Sequence, residues 1–143
     1  MAAKSKSAGN RSYGPVFQPA SEELRAICAA LVDEVRGWPG VTTRAMFGGT
    51  MLYRARLPFA FLPQTRKMMD PDGFWLKFHR VSASLHRQLA ADSRIVESAH
   101  QTTKGDKDPK WVGLVVNGPA DVHQALRWLG EAHEAVRKRG PAR

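Results

Sequence analysis

The sequence predicts an α+β fold: a two-layer α/β domain with an antiparallel sheet and helices packed mainly on one face. Three observations carry this. Apolar residues recur at helical spacing near both ends of the chain, over 24–35 and 122–136. Between them lie short segments with strand-like apolar patterns. Those segments are joined by short turns and grouped before a helix, which argues against a doubly wound parallel sheet. The expected order is α-β-β-β-β-α-β-β-α.

Residues 1–20 are rich in Ser, Gly, Lys and Asn, with Pro15 and Pro19 late in the stretch. They read as a flexible basic arm. Ser21 then caps a helix, and Glu22 and Glu23 in its first turn suit the helix dipole. Leu24, Ile27, Cys28, Leu31, Val32 and Val35 form its apolar face, and Gly37 and Pro39 end it. From Val41 the period changes. Residues 41–47, 50–54 and 58–62 read as strands of a meander, and 74–78 as a fourth. There Phe74, Leu76 and Phe78 share one face, Trp75, Lys77 and His79 the other.

Ser82 or Ser84 caps a short helix carrying Leu85 and Leu89. Residues 95–98 suggest a brief strand, and 100–110 a polar loop. Residues 111–116 are nearly all apolar, as expected of a central strand. Asn117-Gly118-Pro119 is a turn that sets Pro119 or Asp121 at the start of the last helix. Val122, Leu126, Leu129, Ala132 and Val136 line that helix. The single domain is expected over 21–138, followed by a basic tail at 139–143.

A chain of 143 residues is long enough to bury one real core. Its charge deviates most from the ordinary, at +9. Lys4, Lys6 and Arg11 at one end, and Arg137, Lys138, Arg139 and Arg143 at the other, have no acidic neighbours. Without these ends the body is close to neutral, so the basicity is not a patch built into the fold. No run approaches a membrane span, and the N-terminal Lys residues are not followed by the apolar segment of a secretory signal. A cytoplasmic protein is expected. Cys28 is the only cysteine, so no intramolecular disulfide can form. Its place on an apolar stripe makes it a small hydrophobe.

Known chemistries find little support. His79, His86, His100, His123 and His133 are dispersed, without a spacing that stacks two imidazoles on one helix face. Asp70-Pro71-Asp72-Gly73 is a turn and lacks the alternating acids of a calcium loop. Gly48-Gly49 has no following Lys-Ser/Thr and no helix, so it is not a phosphate loop. The four Trp residues read as core or half-buried packing. No catalytic residue, metal ligand or cofactor site is expected, and the chain reads as non-enzymatic.

The most informative stretch is Arg44-Ala45-Met46-Phe47-Gly48-Gly49. Two glycines between apolar segments allow positive φ and a tight reversal or bulge. Arg44 is either a structural ion pair or stem, or a contact to a ligand or partner. The run Arg44, Met46, Phe47, Gly48, Gly49 resembles the Arg-x-Met-Phe-Gly-Gly signature of the TfoX N-terminal domain (TfoX/Sxy) family. Pro58-Phe59-Ala60-Phe61, Phe74-Trp75-Leu76-Lys77 and Ala125-Leu126-Arg127-Trp128-Leu129 resemble further pieces of that family in the right order. Lys104–Trp111 is similar to the YjbR-like family, a structural cousin.

The resemblance implies a compact two-layer domain and kinship with regulators of bacterial competence. Named members carry a second, C-terminal domain, whereas the match here covers the first domain only. The functional expectation is an interaction or regulatory module acting through protein–protein contacts. Its partner is met through a sheet face or through the 63–73 connection, where Arg66, Lys67, Met68 and Met69 pair charge with adaptable apolar contacts. The alternative is weak, sequence-independent nucleic-acid binding by Lys4, Lys6, Arg11, Arg137, Lys138 and Arg139. A small-molecule enzyme of unknown reaction is the third reading, and would need a deep pocket with paired ionisable groups.

Overall fold

Ser21 opens the first helix, α1 (Glu22–Val35), and its hydroxyl accepts a hydrogen bond from the Leu24 N–H at 3.1 Å. That cap satisfies one of the donors left over at any helix start. The buried stripe of α1 is the one the spacing predicts, Leu24 through Val35. The structure, a computed structural model, describes residues 18–67, 69, 71–97 and 110–139.

After α1 come β1 (Val41–Met46), β2 (Gly49–Arg54), β3 (Leu57–Pro63) and β4 (Gly73–Phe78). Then follow α2 (Ala83–Ala91), β5 (Ile95–Glu97) and β6 (Lys110–Val115). A 3-10 turn, Pro119–Asp121, leads into α3 (Val122–Arg139). The six strands form one sheet in the order β1-β2-β3-β4-β6-β5. Every pairing is antiparallel. The α+β class and the element order expected from the sequence both hold. Ser82, not Ser84, caps α2, by accepting the Leu85 N–H at 3.0 Å.

The connections explain the details. β1 and β2 are joined by Phe47 and Gly48, at φ 53° and 78°. β2 and β3 are joined by Ala55 and Arg56, at φ 52° and 68°. Positive φ at both central residues marks the turn that matches the twist of a two-residue hairpin. Phe47 therefore belongs to the turn, not to the strand expected over 41–47. In β3 the register slips by one residue opposite Leu52 and Tyr53. Phe59 is the extra residue, so Phe59 and Ala60 are both fully buried in the core.

One transverse row of side chains, Leu52, Ala60, Leu76 and Val112, faces the helices and is buried. Trp128 of α3 is fully buried against this layer, edge-on to Phe78. Its indole N–H donates to Asp92 Oδ2 at 2.8 Å. A buried Trp of this kind keeps its one donor satisfied. Residues 111–116, expected as a central strand, occupy the fifth position of six. β6 lies between β4 and the short edge strand β5. Its apolar run reflects cover on both faces, which neighbouring strands do not determine.

Candidate interaction surface

The side of the sheet away from the helices carries a second transverse row. Arg44, Met51, Phe61, Trp75, Gly113 and Val96 are register partners in turn, from β1 across to β5. Directly opposed residues of an antiparallel sheet share a face. Phe61 is buried in the middle of this row, Met51 and Trp75 are half-buried, and Val96 and Arg44 are exposed. Lys77 lies over the half-buried Trp111 ring, 5.4 Å from its centroid.

A strap, described at residues 64–67, 69, 71 and 72, runs between β3 and β4 along this side. It is anchored on the Gly48 carbonyl, which accepts the N–H groups of Gln64 and Thr65, both at 2.9 Å. The Thr65 carbonyl then accepts from Ala20 N–H at 3.0 Å, and Lys67 N–H donates to the Gln18 carbonyl at 3.0 Å. Gln18–Ala20, assigned to the arm from sequence, thus pair with the strap, and Ala20 is buried. Lys67 Nζ reaches Asp72 at 3.7 Å.

These contacts place the residues singled out from sequence. Arg66 is exposed and Lys67 half-buried. Met69 is only 6% exposed, and its thioether sits over Gly113, where an added Cβ would meet Met69 Cε at 3.0 Å. Met69 is therefore packing, held by a glycine that leaves room for it. Met68, Lys4, Lys6 and Arg11 lie outside the described residues, and the backbone of Arg137, Lys138 and Arg139 continues α3. Arg44 is exposed without an ion-pair partner among the described residues. Met46 is half-buried beside it.

The two glycines of the signature do different jobs. Gly48 has positive φ, where a side chain is strained whatever the space. Gly49 opens β2 in ordinary strand conformation, but a Cβ there would come within 2.6 Å of both the Leu62 carbonyl and the Phe61 ring. Phe47, beside them, is 70% exposed, the most exposed large apolar side chain among the described residues. Sequence reasoning placed it in a strand because Phe favours strands. The signal that could have found it is the Phe-Gly pair itself, since a two-residue loop before Gly49 forces both into positive φ.

Elsewhere Cys28, Asp121 and His79 serve the packing of the fold. Burial, and then the charge of Asp72, push the Cys28 thiol up to about 12, so it stays protonated and unreactive. Asp121 accepts the Asn117 N–H at 2.7 Å and pairs with Arg94 at 3.1 Å, fixing the start of α3. His79 donates from Nε2 to the Pro58 carbonyl at 2.6 Å. Among the described residues no group of His, Cys, Asp and Glu could hold a metal ion, and no helix is long and apolar enough to cross a membrane. A shallow depression of about 260 Å³ lies between α2 and α3, and its Arg80, Ser82 and Ser84 are all exposed to water. Comparison of the chain with family models, with curated proteins and with solved structures finds no match.

Proposed function

We propose that this chain is a cytoplasmic protein-interaction module, a diverged relative of the TfoX N-terminal domains. It meets its partner with the Phe47–Gly48 turn and with Arg66 on the strap beside it. The observation that supports this reading is Phe47. Its ring is 70% exposed at φ 53°. A bulky residue in that region costs on the order of 1 kcal/mol, and an Asn or Gly would fill the turn without it. Strain of this kind persists at recognition sites because the surrounding structure holds it in place. Here the holding structure is the strap, hydrogen-bonded to Gly48. Aromatic residues and Arg are both enriched at protein interfaces relative to the rest of the surface.

The test is affinity capture with the wild type, Phe47→Asn and Arg66→Ala, each shown to be folded. The reading expects a protein bound by the wild type to be lost from the Phe47→Asn sample and reduced with Arg66→Ala. Equal recovery by all three would remove this surface from consideration.

A further inference from the structure

We infer that the free edge of β1 pairs with the same edge of a second copy, extending the sheet into a two-fold dimer centred on Thr43. This goes beyond the recruitment of a partner by Phe47 and does not depend on it.

β1 is the longer of the two edge strands, and among the described residues nothing pairs with its outer side. Its ladder with β2 is regular, one residue to one, from Val41↔Arg54 to Met46↔Gly49. No bulge or proline blunts it, and its one charged residue is Arg44. The helices also stop short of it. Thr43 and Ala45 share the helix side with Leu52 and Thr50, yet both are exposed. A second sheet can therefore approach without meeting a helix.

The register follows from the hairpin. Met46 and Gly49 close a two-residue turn, so they form a hydrogen-bonded pair. Met46, Arg44 and Thr42 then point their main-chain groups at β2, and Ala45, Thr43 and Val41 point theirs outward. A two-fold axis normal to the sheet keeps each face on its own side, so a residue must sit on the axis. Of the outward-pointing residues, Thr43 is the middle one. With Thr43 opposite itself, Ala45 faces Val41 of the second copy and Arg44 faces Thr42. No two like charges are opposed, and the Thr–Thr pair is favourable. Centring the axis on Arg44 would also bring outward groups together, Thr43 against Ala45, but it would oppose two guanidinium groups directly, which disfavours it. Val41 N–H already donates to the Trp38 carbonyl, so about four main-chain hydrogen bonds remain to join the copies. The dimer is accordingly weak and concentration-dependent.

The experiment measures mass in solution against concentration for the full chain. The wild type should rise from 15.9 kDa toward twice that value. Thr43→Pro should stay monomeric with an unchanged melt, because its lost N–H points outward. Under oxidation Thr43→Cys should form a covalent dimer, with the Cα atoms about 5.5 Å apart across the axis. Ala45→Cys should not, since its two copies stand about 13 Å apart along the strands. Buried Cys28 stays out of the reaction. Phe47→Asn should keep the dimer while losing the recruited partner, which separates this inference from the function proposed above. A wild type that remains monomeric at every concentration overturns it. So does a dimer that survives Thr43→Pro, or equal crosslinking at positions 43 and 45. If Thr43→Pro does not fold, the crosslinking pair decides.

Discussion

Arg54 and His133 are joined twice: one guanidinium nitrogen donates to the imidazole Nδ1 at 3.1 Å and to the His133 carbonyl at 2.9 Å. The other ring nitrogen, Nε2, lies 2.9 Å from the Pro39 carbonyl. A carbonyl only accepts, so Nε2 carries the proton and Nδ1 is the acceptor. The contacts thus assign a neutral tautomer. Trp38 and Phe59 close on the ring edge-on, at 5.3 and 5.5 Å. This one side chain ties α3 to β2 and to the turn after α1.

A second proton on His133 would have to displace Arg54. Burial is the main cause that lowers the His133 pKa from its ordinary 6.5, with the Arg54 charge acting the same way against the Pro39 hydrogen bond and Glu134. The unfolded chain therefore binds the proton more readily than the folded one. The associated stability is fully present above the ordinary value of 6.5 and is lost as pH falls below it toward the lower folded value. Thermal melts from pH 8 to 5 should show the loss. In His133→Phe the slope in this window should be reduced, at lower stability throughout. An unchanged slope would assign the pH dependence to other groups.

The signature glycines should fail for different reasons. Gly48→Asn should cost little, because Asn tolerates positive φ better than other side chains. Gly48→Val should cost more than about 1 kcal/mol, by strain and by contact with Thr65 and Arg66. Gly49→Ala should be at least as damaging as Gly48→Val, since the Leu62 main chain cannot move aside without disturbing the β2–β3 ladder. Denaturant melts of the three variants rank them. A harmless Gly49→Ala would contradict the close approach.

Phe47→Asn should raise stability. It relieves a strained exposed aromatic and supplies the Asn-Gly pair that such hairpins favour, worth on the order of 1 kcal/mol. A gain in melting temperature together with a loss of partner binding is the signature of a residue kept for recognition. A loss of stability would mean that the ring supports the hairpin through packing.

The sequence made the helices legible because capping and apolar spacing are local properties. Ser21, Ser82 and the stripes of α1 and α3 act within a few residues. The Gly48 turn was legible for the same reason, although Phe47 was misplaced because its intrinsic preference opposes its position. The bulge at Phe59 was hidden in a continuous apolar run, where a slip of one residue leaves no trace in the pattern. The strap was not legible at all. Its residues have no period, and its anchors are far away in sequence: Gly48, Gln18 and Gly113. The signature was read from the resemblance as a motif, but its physical role emerged only from the carbonyl of Gly48 meeting residues 64 and 65.

Met69 and Gly113 provide the last test, because the same methionine has two competing roles. Its side chain is buried over a glycine whose added Cβ would meet Met69 Cε at 3.0 Å, Sδ at 3.1 Å and Val96 Cγ2 at 2.9 Å. Met69→Ala should therefore destabilise the domain by roughly 2 kcal/mol or more, the usual cost of emptying a buried Met site. A purely presented contact residue would change stability by no more than about 0.5 kcal/mol. Gly113→Ala should also destabilise, by forcing the strap outward. In the double variant the smaller side chain at 69 makes room for the new methyl at 113. The combined loss should then be smaller than the sum of the two single losses, as coupling between touching residues requires. Strict additivity would mean that the contact between Met69 and Gly113 does not hold the strap in place.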